Sequence, residues 1–517
     1  MKRFSLIAII MLAANIAAGA QGVEDALRYS EQFYVGSART IAMGNAFTAL
    51  GGDLGAVGIN PASSALYNCC EFAITGDISR NKTNSLFYGS NDSFSDSVTK
   101  TNFSVPNLSM VFALPTGKDW GLVSYSFGFG LTKTNNFNSR IRFGGADANT
   151  SLLGNIAAGL EGVNKSELLA EDAFDYGYCT NQEILAYDTY LVDNYNGLDD
   201  SYIGATENEW PGGLGVDNLL DKSYDRTTGG GMYDIQFNAG ANINDRLYLG
   251  ANFNVKTVDY EENLWYGENA YKGDVFDSAF KGMSYNYWQR TEGVGVNLQL
   301  GAIYVPFNFL RLGISYTTPT SYFLTDRWQE YMQSSFDTNN YGYKSAESES
   351  PLKEFEYKIK APSRLSLGTA IVFGTAGLVS FDWESVNYGK MKMADGTGKY
   401  STFDDVNQYI ADYCTKCNIF RVGAEMNLGS NFALRGGYTG YFYENPGNKY
   451  ISFGCGWRLS ENSSLDLAYR TSLKDQYQMT PYDDYAYDEA GKAQCLAPVA
   501  DITSRYRDLM LTYRVKF

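Results

Sequence analysis

The chain has 517 residues, a formal net charge of −17, 15% aromatic residues led by 41 Tyr, 53 Gly and no histidine. The charge argues against a nucleic-acid partner. The missing histidine removes Ser-His-Asp and Cys-His catalysis, His-based zinc sites and a His-ligated haem; no enzyme, metal or cofactor is expected, and acids such as Asp382 and Glu384 stand without a supporting constellation.

Residues 1–20 read as a secretory signal peptide. Lys2 and Arg3 form the basic start, an apolar run follows from Phe4 to Ala18, and Ala18-Gly19-Ala20 supplies the small-residue cleavage pattern. No other stretch has about 18 consecutive apolar residues, so no transmembrane helix is predicted. Residues 21–69 are rich in Ala and Gly and do not alternate; they read as short helices and turns. Asn60 suits an N-cap and Pro61 the first turn of a helix.

From residue 70 onward, period-2 segments recur between turn signals. The spacing predicts strands near 70–81, 105–115, 120–133, 231–243, 246–262, 286–305, 309–325, 352–373, 377–392, 417–428, 431–443, 447–459, 464–476 and 504–517. Tyr233, Ile235, Phe237, Ala239 and Ala241, for example, oppose Asp234, Gln236, Asn238 and Gly240. Short connections such as Asn244-Asp245 and Gly429-Ser430 mostly alternate with long ones. The longest runs from about 134 to 230 and is acidic. Its Leu152, Leu153, Ile156 and Leu160 follow helical spacing, which fits an apolar capture groove or the buried side of a loop helix. Asp172, Asp175, Asp199, Asp200 and Asp217 lack calcium-loop spacing and read as a solvated acidic surface.

Charged and polar positions on the strands, among them Asp382, Arg421, Glu425, Arg435, Arg458, Asp466 and Arg470, belong inside a barrel, because a charge on the lipid face costs a few kcal/mol. They are expected to form a lumenal polar network. Seven cysteines, an odd count, leave at least one thiol unpaired, and Cys414-Thr-Lys-Cys417 reads as a loop disulfide or as free thiols. In the last strand Leu509, Leu511, Tyr513, Val515 and Phe517 alternate with Met510, Thr512, Arg514 and Lys516. This is the pattern of a closing strand in an outer-membrane barrel. The reading is thus an all-β, antiparallel transmembrane barrel of about 14 strands over 70–517, with 21–69 as an N-terminal helical plug and 504–517 pairing with 70–81.

The segment Ala42-Met43-Gly44, Ala46-Phe47, Gly51-Gly52-Asp53 and Asn60-Pro61-Ala62 resembles the N-terminal hatch of the FadL/TodX family of outer-membrane transporters for long-chain fatty acids and other hydrophobic compounds. Tyr316-Thr-Thr-Pro319, Ala361-Pro-Ser-Arg-Leu-Ser-Leu-Gly368, Phe381-Asp-Trp383 and Ala433-Leu-Arg-Gly-Gly-Tyr438 extend the resemblance downstream. It implies a monomeric barrel closed by a hatch, with Gly44, Phe47, Asn60, Pro61 and Ala62 as hatch and gating residues. It also implies capture of a hydrophobic ligand at the extracellular side and lateral release through an opening near the third strand, for which Gly128 and Gly130 are the candidates. Phe517 would be the terminal aromatic read by the barrel-assembly machinery. Two other functions remain open at this stage. One is a type 9 secretion-type shuttle that binds exported proteins. The other is a haemin receptor, whose axial ligation would need Tyr or Met.

Overall fold

The computed structural model describes residues 22–517 apart from 91, 177, 208–213, 215–217, 272–275, 338–344, 444–445 and 489–490. The expected signal peptide and Asp217 lie outside the described residues. Fourteen antiparallel strands form one closed barrel. They are β1 (Glu71–Tyr88), β2 (Ser93–Pro115), β3 (Leu122–Asn136, continued by Ser139–Asp147), β4 (Leu220–Ile243), β5 (Leu247–Ala270), β6 (Phe280–Phe307) and β7 (Leu310–Thr317, then Thr320–Phe336). The second half comprises β8 (Lys353–Ala361, then Arg364–Val372), β9 (Gly377–Asn387), β10 (Lys416–Leu428), β11 (Phe432–Phe442), β12 (Pro446–Arg458), β13 (Ser463–Ser472, continued by Asp475–Met479) and β14 (Ala500–Lys516). Each strand pairs with its chain neighbour, and β14 returns to β1 from Glu71↔Lys516 to Phe87↔Ala500. That pairing leaves no sheet edge to lipid, which hydrocarbon requires.

The alternation sorts side chains as the sequence suggests. On β14, Leu509, Leu511 and Tyr513 are exposed on the outside while Met510 and Thr512 are buried. On β5, Leu249 and Phe253 face out against buried Asn252 and Asn254. Trp120, Phe307, Phe309, Phe373, Trp457 and Phe517 crowd the end that carries the short turns, an aromatic girdle at the lower interface.

Several strands are far longer than the roughly 9–11 residues needed to span. Residues 82–104 and 134–147, which lack an apolar stripe, are nonetheless mostly strand. There the barrel stands clear of the membrane, so the outward face is polar and the apolar stripe that marks a lipid-facing strand disappears. The connection expected over 134–230 therefore shrinks to 148–219. It holds α3 (Leu152–Leu160) and α4 (Asn181–Asp188).

Residues 22–70 lie within the barrel. They form α1 (Val23–Ser30), α2 (Ala38–Ala42) and two 3₁₀ turns, Leu54–Ala56 and Pro61–Leu66. Asn60 caps the second turn by accepting from the Ala62 N–H at 3.1 Å, and Pro61 occupies its first position. None of the seven cysteines is in a disulfide, so Cys414 and Cys417 form no loop bridge.

Leu511→Arg should lower the stability of the refolded barrel by about 2–4 kcal/mol, the cost of a cation on the lipid face near the midplane. Urea titration of refolding into vesicles measures this. A change within error would mean that the face bearing Leu509, Leu511 and Tyr513 does not meet lipid.

Candidate functional site

The plug is fitted to its barrel by glycines on both sides of the contact. A Cβ at wall positions Gly250, Gly301, Gly313, Gly368, Gly423, Gly437 or Gly454 would lie under 3.0 Å from plug atoms. On the plug side Gly44 has φ +61° and rests on the backbone of Tyr438, with its carbonyl accepting from Thr439 Oγ1 at 2.7 Å. Asn60 is wholly buried, and its Nδ2 donates to the Thr48 carbonyl at 2.6 Å and to Ala302 and Ile314 carbonyls of the wall at 3.3 Å. The Pro61 carbonyl accepts from Asn238 Nδ2 at 3.1 Å. Phe47 packs with Met43, Leu50 and Ile59 on Ala370 of the wall, beneath the Arg39 guanidinium. Ala62 packs with Ala65 against Tyr248 and Ile303. The five hatch positions picked from the sequence therefore all sit at the plug–wall contact.

A chain of ion pairs ties the plug to the wall at both of its ends. Arg39 of the plug forms a two-point pair with Glu425 at 2.8 and 3.0 Å. Glu425 meets Arg435 at 2.6 Å, Arg435 meets Asp466 at 2.6 Å, and Asp466 meets Arg514 at 2.5 Å. Arg514 then reaches Asp53, back on the plug, at 3.5 Å. Asp53 also accepts from Ser37 Oγ at 2.5 Å. Burial makes each member dependent on its neighbour, because an ion left unpaired there is costly. Nearby, Glu384 bridges Arg364 and Arg421 at 2.8 and 2.6 Å, and Arg364 donates to the Ser30 carbonyl of α1. Arg470 pairs with Asp508 at 2.7 Å and donates to the Tyr34 carbonyl.

Of the predicted network, Glu425, Arg435 and Asp466 are joined in one chain, while Arg421 pairs with Glu384 and Arg470 with Asp508. Asp382 serves instead as acceptor for the plug's Thr48 N–H at 2.8 Å, and Arg458 lies exposed at the rim, outside the paired set. Sequence reasoning missed Arg39, Asp53, Arg364 and Asp508. The first two sit in a segment without strand periodicity. Arg514 was visible on the polar face of the last strand, but its partners were not.

Gly128 and Gly130 lie within unbroken ladders on both sides, opposite Val111 and Ser109 of β2 and Asn238 and Gln236 of β4. They open nothing. The β2–β3 ladder instead ends at Asn107↔Thr132. Beyond it, among the described residues, β2 pairs with β1 and β3 with β4, and the plug alone adds backbone bonds to β3: the Val35 and Phe33 N–H groups donate to the Lys133 and Thr134 carbonyls at 3.0 and 2.8 Å. Val105 and Pro106 bulge out of the β1 register here, and Pro106 has no N–H to offer. The resulting seam is crossed by side chains: Arg142 to Asp96 at 2.5 Å, Ser85 Oγ to the Arg142 carbonyl at 2.5 Å, and Lys100 Nζ to the Thr228 carbonyl at 2.6 Å. Phe103, 69% exposed, stands at its lower edge with Val105.

Two apolar layers fill the lumen above the plug turns. The lower one surrounds α1, where Tyr29, Phe137 and Tyr260 meet edge to face, with Tyr322, Tyr357 and Tyr388 around them. The upper one is the loop cap over the mouth. Leu152, Leu153, Ile156 and Leu160 are all buried in it, packed with Phe87, Tyr224, Tyr266 and Tyr485 among others. Among the described residues they form the packed side of a loop helix, with the cap's own side chains against its apolar face. Asp199 pairs with Lys165 and Asp175 with Lys353, and no acidic cluster able to hold a metal ion occurs among the described residues. Glu207 is buried under the cap, where burial pushes its carboxyl up to about 7 while the Gly204 N–H donating to Oε2 pulls it down.

No protein-family model matches the chain, and no curated protein is significantly similar in sequence. Among solved structures, the P. putida toluene transporter TodX superimposes with a TM-score of 0.52 at 16% identity, covering 94% of this chain and 99% of TodX. The chain has the TodX fold. Coverage of 94% is more than residues 71–517 alone can supply, so the TodX-like architecture takes in part of the N-terminal segment. A FadL homologue from Pseudomonas aeruginosa aligns over 94% of this chain and 100% of its own length at 10% identity, with a TM-score of 0.49.

Gly437→Val should push the plug off β11 and raise the single-channel conductance in planar bilayers above that of the closed wild type. Equal conductance would show that the wall tolerates the added bulk. The Glu207 carboxyl gives a second expectation. An ordinary glutamate titrates near 4.5, so the folded cap keeps a proton that an opened cap releases. This contribution is complete below 4.5 and is lost as pH rises through about 7. Amide exchange in α3, corrected for intrinsic rate, should therefore quicken across that window, and Glu207→Gln should remove the dependence.

Proposed function

We propose that the chain carries hydrophobic small molecules, long-chain fatty acids or arenes, passively inward across the outer membrane and releases them sideways into the bilayer. The observation that carries this reading is the seam between β2 and β3. The axis of the lumen is blocked by a fitted plug, while the wall beside it lacks backbone pairing at the upper edge of the apolar belt. A route that ends in lipid suits greasy cargo and is of no use to an ion or a sugar. The tyrosine-lined layer around α1 offers such cargo an apolar chamber with hydroxyl ends. Each CH₂ transferred there from water gains about 0.8 kcal/mol, enough for reversible capture without an energy source. That TodX is a toluene transporter agrees with this reading. In the proposed cycle the cap admits the ligand, the Asn60-Pro61-Ala62 turn shifts, and the side chains bridging the seam part. The exposed terminal Phe517, whose N–H donates to the Cys70 carbonyl at 3.0 Å, is the group offered to the assembly machinery.

Uptake of labelled oleate and toluene by cells with and without the gene tests this directly. Asn60→Ala should fold and reach the membrane yet lose most of the gene-dependent uptake, because it removes the three donor contacts that hold the turn. Equal uptake by the null strain for both compounds, with exported proteins recovered on the purified barrel, would replace this reading with that of a secretion shuttle.

A further inference from the structure

The outside of the barrel carries a second feature that the transport reading does not use. On β4–β7, above the apolar belt, a groove of about 370 Å³ opens on the outer face. Two adjacent cross-strand rows form its floor. In one, Trp265 of β5 stands opposite Asn286 of β6, which stands opposite Tyr331 of β7. In the other, Asn263 stands opposite Trp288, which stands opposite Gln329. Rings and amides thus alternate both along and across the strands. Trp265 is 39% exposed. Trp288 donates from Nε1 to Glu261 at 3.1 Å, which fixes the plane of its indole. One end of the groove is closed by the two-point pair of Arg140 with Asp225 at 2.9 and 2.5 Å.

The height of the groove identifies what it meets. The outward apolar residues of β6 run up to Val294, and Glu292 and Arg290 follow. Trp288 is the third outward position beyond Val294, about 15 Å further along the barrel axis at ~3.3 Å per residue and a tilt of ~40°. Interfacial girdle rings sit at the belt edge itself, so these rings are too high to anchor in lipid. They stand at the level of the outer leaflet's sugar headgroups. A pyranose ring has an apolar C–H face that stacks on an indole and a rim of hydroxyls that both accept and donate. Asparagine and glutamine amides match that rim, since each offers a donor pair and an acceptor. A continuous apolar stripe would suit an acyl chain; a checkered floor of rings and amides does not.

We propose that this groove is a saccharide-binding site that holds the core sugars of an adjacent outer-leaflet glycolipid, with Trp265 and Trp288 as stacking platforms and Asn263, Asn286 and Gln329 as hydroxyl partners. The site is independent of the lumen, so it stands or falls apart from the transport reading.

The test uses the full-length protein purified in detergent. The probe is core oligosaccharide released from bacterial lipopolysaccharide by mild acid and free of acyl chains. Binding is read by saturation-transfer NMR and by tryptophan fluorescence. Wild type should bind the oligosaccharide. Trp288→Ala and Trp265→Ala should each weaken binding about tenfold, equivalent to about 1.4 kcal/mol, and Phe103→Ala in the apolar belt should leave it unchanged. Should either tryptophan variant fail to refold, Gln329→Ala, which removes a hydroxyl partner but no ring, should still weaken it. Failure of the free oligosaccharide to bind wild type overturns the proposal, as does equal binding by folded tryptophan variants. So does binding confined to intact lipopolysaccharide and indifferent to Trp288, which would assign the contact to acyl chains on the belt.

Discussion

Everything in this molecule follows from the demand that backbone N–H and C=O groups facing hydrocarbon be paired within the protein. The demand is met by the return of β14 to β1, a ladder running from Glu71↔Lys516 to Phe87↔Ala500. Closure in turn creates an interior, and here the chain itself fills it. Small side chains and wall glycines let backbone approach backbone, so a segment of only a few short turns can occupy the lower lumen. The same demand gives the one lapse its meaning. Between β2 and β3 beyond Asn107↔Thr132 the pairing is by side chains, and it lies where the belt gives way to water and the demand relaxes.

How much of this was legible in the sequence depended on where each residue sits relative to the membrane. Within the belt the alternation of Leu509, Leu511 and Tyr513 with Met510 and Thr512 states both the element and its faces. Above the belt, residues 82–104 offer polar side chains on both faces, so composition reads as loop although most of the backbone is strand. The plug was readable through Asn60-Pro61, whose capping chemistry is local. The ion chain was half readable. Glu425, Arg435 and Asp466 announce themselves as charges on strands, whereas Arg39 and Asp53 come from a segment whose fold is set by what surrounds it. Gly128 and Gly130 sit in unbroken pairing, and glycine marks several things. In this wall its commonest task is to admit the plug.

The polar lumen and the apolar layers divide the work between register and filling. Paired charges fix where the plug sits around the circumference, since Arg39 pairs with Glu425 of the wall and Asp53 with Arg514. Apolar contacts at Phe47, Ala62 and the tyrosines around α1 fill the space without specifying direction. Buried ion pairs gain little net stability over an apolar replacement but penalise misplacement severely. This makes them suited to holding a part in one position.

The ion chain also has an electrical consequence. From Gly36 to Leu66 the only formal charges are Arg39 and Asp53, one of each sign. Their wall partners Glu425, Arg435, Asp466 and Arg514 likewise sum to zero. Displacing this stretch of plug would leave both surfaces neutral overall and would carry no net charge through the membrane field. A potential that does about 2.3 kcal/mol of work per charge per 100 mV therefore has no handle on it. The stretch from Gly36 to Leu66 offers the field no net gating charge.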